Sequence, residues 1–225
     1  MQGLESNYAG PIGLVAVWLL LVGGISEAAR QQGFSPELTR KVVHIGAGHV
    51  ILLAWWFMLP PWMGIGASAL FSAVALVSYR LPILPGINSV GRRSWGTFFY
   101  AVSIGVVIAY YWPLGQPYYG VIGILTMCWG DGLAALVGQR WGRHGYELLG
   151  EKKSWEGSLT MAAVSMVVVF LVLSSVYDAS WELGLVTLGV AIASTVLEAF
   201  SKYGIDNLTV PLGAAAVAAL LSSWI

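Results

Sequence analysis

The sequence predicts an all-α, polytopic integral membrane protein of about eight transmembrane helices, folded as a single membrane-embedded domain over residues 1–225. Three observations lead there. Hydrophobic residue types make up 57% of the chain, and the mean hydropathy is +0.75. Charged residues amount to 10%, against about 25% in a soluble globular domain. Those charges are confined to short segments between apolar runs, and about 20 apolar residues suffice for a helix to cross the hydrocarbon core. The same composition excludes an intrinsically disordered chain, which needs low hydrophobicity and high net charge. A formal net charge of +0 leaves no basic surface of the kind that attracts nucleic acid. Cys128 is the single cysteine, so no internal disulfide forms, and no metal-type Cys/His spacing occurs.

The spans follow in order. Residues 10–28 form the first, and no Lys or Arg precedes them, so it reads as a retained span and not a cleaved signal peptide. Residues 42–79 carry no Asp, Glu, Lys or Arg and are long enough for two spans, with Leu59-Pro60-Pro61-Trp62 as the hairpin between them. Residues 95–139 hold one charge, Asp131, and divide into two more spans at Trp112-Pro113-Leu114-Gly115-Gln116-Pro117. The sixth span covers 157–177. The seventh covers 183–197 and extends past Glu198. The eighth covers 208–225, with Pro211 tolerated in its first turn. No internal repeat or interdomain linker interrupts this series, and no residue pattern specifies an oligomer.

Charge placement orients the bundle. All eleven Lys and Arg residues fall in alternate loops: Arg30, Arg40 and Lys41; Arg80, Arg92 and Arg93; Arg140, Arg143, Lys152 and Lys153; and Lys202. By the positive-inside rule those loops are cytoplasmic and both termini lie on the far side. Glu5, Asp178 and Glu182 belong to the far side, together with an aromatic belt of Trp55, Trp56, Trp62, Trp112, Tyr118, Tyr119, Trp181 and Trp224.

An ionisable group inside a span is costly, and so is a functional candidate by default. Asp131 is the sharpest case. On a helix it shares a face with Ala134, Ala135, Gly138 and Gly142, a smooth track that admits either a ligand or a neighbouring helix. The fifth loop, Gly150-Glu151-Lys152-Lys153-Ser154-Trp155-Glu156-Gly157-Ser158, sets cations, hydroxyls and carboxylates at the start of an apolar helix. Such a helix N-terminus suits phosphate, and Glu156 suits Mg²⁺; a loop that only sets topology is the plainer alternative. Gly145 and Gly150 have P-loop spacing, but Glu151 stands where that motif requires Lys. Arg40, Lys41 and His44 share one helical face. His49 lies on roughly the opposite side, which suits a packing role. Ser94 and Thr97 open the fourth span, as an N-cap taken alone. Glu198 and Lys202 have i,i+4 spacing, as for a structural ion pair, and Asp206-Asn207 reads as a turn and cap. All these groups converge on the cytoplasmic side, where a nucleotide would arrive.

Asp131-x-x-Ala134-x3-Gly138-x3-Gly142, followed by Lys152-Lys153-Ser154-Trp155-Glu156-Gly157-Ser158, resembles the nucleotide motif of the polyprenol kinase family. That family includes dolichol, phytol and farnesol kinases and CTP-dependent diacylglycerol kinases, and is related to phosphatidate cytidylyltransferases. Arg40-Lys41-x-x-His44 resembles its early cytoplasmic motif, and Glu198…Asp206-Asn207-Leu208-x-x-Pro211 its late one. The likeness runs from about residue 38 to 212, and the chain length is more similar to phytol kinases than to dolichol kinases.

The resemblance implies CTP as phosphoryl donor, Mg²⁺, and a long-chain isoprenoid alcohol, phytol favoured, as a membrane-dissolved acceptor. Phosphoryl transfer needs mainly positioning and charge neutralisation. Lys152, Lys153, Arg40 and Lys41 are expected at the phosphates, with Ser154, Ser158, Gly138 and Gly142 at the nucleotide. Asp131 is expected on Mg²⁺, with Glu156 and Asp206 as partners. Asp131 and His44 are both candidates to accept the alcohol proton, while Ser94, Thr97, Glu198 and Asn207 complete the polar site. The rivals are a CTP:lipid-phosphate cytidylyltransferase and a small-solute transporter; clustering at one interface argues against the second. A bacterial plasma or thylakoid-type membrane follows from the resemblance.

Overall fold

The computed structural model describes residues 8–81 and 94–225, so Glu5, Arg92 and Arg93 lie outside the described residues. Helices dominate. In chain order they are α1 (Ala9–Gln31), α2 (Pro36–Gly48), α3 (Val50–Trp56), α4 (Pro61–Ser78), α5 (Gly96–Tyr111), α6 (Pro117–Leu125), a π-helical turn (Thr126–Asp131), α7 (Gly132–Trp141), α8 (Trp155–Leu173), α9 (Trp181–Ala199) and α10 (Asp206–Ser222). Among the described residues, five helices are long and apolar enough to cross a membrane: α1, α4, the continuous rod Pro117–Trp141, α8 and α9. Helices α5 and α10 are apolar but shorter, and α2 and α3 are separated at His49.

The breaks fall where proline and backbone chemistry put them. Helix α3 ends with Leu59 N–H bonded to the Ala54 carbonyl and Met58 in the left-handed region (φ 48°). Pro60-Pro61 then opens α4, proline being suited to a first helical position. Tyr111 closes α5, and Pro117 starts α6. Helix α10 departs from expectation: it begins at Asp206, which puts Pro211 inside the helix and not in its first turn. Its missing N–H leaves a carbonyl one turn back without its helical donor.

The core is built around α6, in which Val121, Ile122 and Ile124 are 0% exposed. A helix apolar on every side belongs at the centre of a bundle. Helix α10 approaches so closely that a β-carbon on Gly123 would collide with the Pro211 carbonyl oxygen. Helices α1, α4, α8 and α9 surround this centre and turn Leu20, Leu21, Phe71, Leu171 and Ile192 outward.

One segment corrects the all-α expectation. Residues of the fifth loop form an antiparallel hairpin of β1 (Gly145–Leu148) and β2 (Glu151–Ser154), with Leu148 opposite Glu151. Its two-residue turn has positive φ at both Leu149 (54°) and Gly150 (81°). That is the backbone of a type I′ turn, whose twist matches the strands it joins.

Candidate functional site

The site is assembled from three directions. Helix α2 begins at Ser35, whose side chain caps the Leu38 N–H, and Pro36 occupies the first turn. This start sets Arg40, Lys41 and His44 along the α2 surface that meets the π turn. The Lys41 ammonium donates to the Asp131 carboxylate and also lies 3.4 Å from its backbone oxygen. Lys41 is 2% exposed and Asp131 14%. His44 Nε2 stands 3.7 Å from the same carboxylate oxygen and, although buried, has no hydrogen-bond partner among the described residues. Its ring stacks at 4.3 Å on Tyr100, whose hydroxyl donates to the His44 carbonyl. Arg40 is held by Glu37 at 2.6 Å.

Asp131 is the last residue of the π turn. Such turns insert an extra residue into a helix and recur at functional sites. The small-residue track beyond it is filled by protein. A β-carbon on Gly142 would press on Ser154, one on Gly138 would lie 3.1 Å from Ser154 Oγ, and one on Gly157 would lie 3.1 Å from the Ala134 carbonyl. Gly138 and Gly142 therefore let α7 and the start of α8 pack closely. Ser154 caps α8 by accepting from the Gly157 N–H.

The hairpin separates the two lysines. Strand alternation places Lys153 on the face shared with Tyr146, and Lys152 on the opposite, exposed face across from Glu147. Lys153 donates to the Glu198 backbone carbonyl, to the Glu198 carboxylate at 2.5 Å and to Ser201 Oγ at 3.2 Å. Lys202 instead donates to the Leu149 carbonyl at the hairpin tip. The local Glu198–Lys202 pair is therefore not formed. Helix α9 ends at Ala199, and Lys202 lies beyond it, where i,i+4 geometry no longer holds. Ser158 Oγ meets the Tyr146 hydroxyl at 2.6 Å. Glu156 is engaged by the His144 ring at 2.7 Å and by its backbone N–H.

The third contribution is the turn between α9 and α10, with Tyr203 and Gly204 both at positive φ. Its Tyr203 carbonyl accepts from the Trp95 N–H and from Ser94 Oγ. Asn207 packs against Gly96 and donates to the Gly204 carbonyl. Thr97 lies in the first turn of α5, next to Phe98, whose N–H donates to the Tyr79 hydroxyl. Asp206 accepts from the Asn207 backbone and interacts through space with Asp131, Lys41 and Lys153. Glu198 likewise senses both Asp131 and Asp206.

Asp131, Asp206, Glu198, Lys41, Lys153, Arg40 and His44 thus form one electrostatic cluster. The Glu156 carboxylate contacts His144 and, among the described residues, none of these. No group of three His, Cys, Asp or Glu side chains among the described residues makes a preformed metal cage. A hard cation such as Mg²⁺ takes oxygen ligands, and the carboxylates of this cluster are those of Asp131, Asp206 and Glu198. His49 is a packing residue: its Nδ1 donates to the Ile45 carbonyl while Nε2 accepts from Trp129. Sequence reasoning passed over Tyr100, Tyr146, His144 and Ser201. Glu37 was passed over as well, although its i,i+3 spacing to Arg40 was a visible signal.

No protein-family model matches the chain, and no solved structure does. Curated relatives do. A phytol kinase of Synechocystis sp. is 52% identical over 92% of this chain and 89% of its own length. A probable chloroplastic phytol kinase of Triticum aestivum is 30% identical over 82% of the chain and 67% of its own length. Phytol kinase 1 of Arabidopsis thaliana, chloroplastic, is 29% identical over 90% of the chain and 72% of its own length. The chain belongs to the phytol kinase family of lipid kinases.

Proposed function

We propose that this protein phosphorylates phytol, taking the terminal phosphoryl group of CTP, at the cytoplasmic face of a membrane that it crosses about eight times with both termini on the opposite side. The observation that carries the reading is the Lys41–Asp131 pair within a cluster of carboxylates and cations, in a chain 52% identical to a phytol kinase. An acceptor whose tail dissolves in the bilayer explains why such a cluster sits in an apolar bundle. Apolar outward faces on α1, α4, α8 and α9 support the membrane setting, a bacterial plasma or thylakoid-type membrane, and the grouping of all Lys and Arg in and beside alternate connections between the apolar runs supports the orientation.

In this reading the alcohol oxygen attacks the terminal phosphorus. The bond from that phosphorus to its bridging oxygen breaks, and CDP leaves. The alcohol proton passes to Asp131 or His44. Lys41, Arg40, Lys152 and Lys153 neutralise the phosphates, which is most of what such a transfer requires of a protein. Ser154 and Ser158 hydrogen-bond the nucleotide, and Gly138 and Gly142 serve it by seating Ser154. Ser94, Thr97 and Asn207 fix the α5 and α10 ends that frame Asp206. Asp131 and Asp206 would hold Mg²⁺, which supplies charge neutralisation at the transferred group when bound. Glu156, tied to His144, would join them only by leaving that partner.

The test is purified protein with CTP labelled at either the γ or the α position, and phytol, farnesol, a longer polyprenol and diacylglycerol as acceptors. γ-Label in phytyl phosphate is the expected result. α-Label entering lipid would replace this reading with a cytidylyltransferase, and equal use of ATP would remove the CTP assignment.

A further inference from the structure

The charged cluster is closed. Lys41, Glu198, Asp131 and Lys153 side chains are only 2%, 13%, 14% and 15% exposed. A nucleotide polyphosphate must contact several such groups at once, so something has to move aside. The β1–β2 hairpin has the build to do so. Its base is joined to α8: Trp155 N–H donates to the His144 carbonyl, His144 engages Glu156, and Tyr146 meets both Ser158 and the Trp155 ring. Away from that base, its polar contacts with other segments, among the described residues, come from two lysines. Lys153 reaches Glu198 and Ser201, and Lys202 reaches Leu149 at 3.0 Å. Both end on the short segment after α9.

An ammonium has three protons, and Lys153 already has three acceptors in the Glu198 carbonyl, the Glu198 carboxylate and Ser201 Oγ. It can bind a phosphate only by giving these up. Lys202 has a second resting place, since its ammonium lies 5.0 Å from the centre of the Tyr203 ring. A two-stranded hairpin is marginal on its own, so these contacts decide where it rests.

We propose that Lys153 and Lys202 latch the β1–β2 hairpin as a lid over the Asp131–Glu198–Asp206 cluster, Lys202 as a positioning residue, and that the nucleotide polyphosphate enters as Lys153 exchanges Glu198 for phosphate. The nucleotide half of this rests on the function proposed above. The exchange frees the Glu198 carboxylate at the moment the phosphates arrive, and Lys202 holds the tip without touching the nucleotide.

Thiol labelling tests the latch directly. The native thiol, Cys128, is 0% exposed, so a Ser201→Cys variant presents one reporter beneath the hairpin. With a water-soluble maleimide, labelling is expected to be slow, and to rise at least about tenfold when Lys153→Met and Lys202→Met are added, as opening replaces a protected state. Lys153→Arg should keep it slow. Equal rates in latched and unlatched proteins would overturn the proposal. Adding MgCTP to the Ser201→Cys protein is expected to accelerate labelling; phytol phosphorylation without any acceleration would overturn the exchange. As a second measurement, Leu149→Cys with Lys202→Cys is joined by a short bis-maleimide, and turnover is compared before and after. Loss is expected, and full retention would overturn the lid. If the protein before cross-linking moves no γ-phosphate from CTP to phytol, the functional reading fails, and labelling with and without the two lysines still decides the latch.

Discussion

Lys41 and Asp131, 90 residues apart in the chain, form an ion pair inside the helical bundle, with the lysine almost wholly removed from solvent. The pair joins α2 to the π turn and places a carboxylate where two helices would otherwise meet through apolar side chains. Removing one member of a buried pair strands the other charge, at a cost of about 3–5 kcal/mol. Lys41→Ala is therefore expected to lower the thermal midpoint in detergent sharply. Lys41→Met with Asp131→Leu should recover much of that stability while leaving the protein inactive. A double variant as unstable as the single one would show that the pair is not the source of the loss.

Asp131→Asn separates chemistry from packing. The amide keeps the shape and an acceptor for Lys41, but loses the charge that the proposed Mg²⁺ site requires. Turnover of phytol is expected to fall at least about 100-fold, with membrane insertion and the thermal midpoint much less affected. Near-normal turnover would remove Asp131 from the chemistry.

The adjacent lysines are expected to behave differently, because strand alternation sends them to opposite faces. Lys152→Ala touches only an exposed side chain, so its stability change should stay within about 0.5 kcal/mol, and any effect should show in nucleotide affinity. Lys153→Ala leaves Glu198 without its cation and should lower both stability and turnover. Parallel titrations of CTP and thermal melts on the two variants read this split. Equal behaviour would contradict the hairpin register.

Much of this arrangement was legible in the sequence, for a physical reason: a bilayer makes charge expensive, so the few charges retained point to the site. Asp131, Lys41, His44, Glu198 and Asp206 could be grouped because all lie toward one end of the apolar runs. The hairpin was not legible. Its strands have four residues each and carry charges in place of an apolar alternation, and Leu149-Gly150 lacks the Asn-Gly or Asp-Gly pair that signals a type I′ turn. Nor was the π turn, since Thr126–Asp131 has no composition that distinguishes it from α-helix. Lys153 and Glu198 illustrate the limit. Glu198 had a local partner at the right spacing in Lys202, but the helix stopped short of it, and a side chain 45 residues away took the place.

Gly123 tests the packing independently of the site. A β-carbon there would strike the Pro211 carbonyl of α10, and backbone cannot yield as a flexible side chain can. Gly123→Ala is expected to destabilise by about 1–3 kcal/mol, the usual cost of overpacking a filled core. Activity should fall only in proportion to the folded fraction. Gly66→Ala, where nothing lies within 4 Å, is the matched control: with no clash and a better helix former in place, its melting midpoint should hold or rise.

The proposed orientation predicts opposite labelling of two exposed tips. Leu149 lies at the end of the hairpin, and Leu114 in the turn between α5 and α6; both are more than half exposed. Because Cys128 is buried and silent, Leu149→Cys and Leu114→Cys each report one loop without the native cysteine having to be replaced. In intact cells an impermeant maleimide should modify Leu114→Cys and spare Leu149→Cys, and inverted vesicles should reverse the pattern. The positive-inside rule underlies this expectation, because the loop holding Leu149 also carries Arg140, Arg143, Lys152 and Lys153 while that holding Leu114 has no cation. Modification of both positions from the same side would refute the eight-span topology, since an odd number of crossings must separate them. Modification with the sides exchanged would keep the crossings and place the charged cluster away from the cytoplasmic nucleotide.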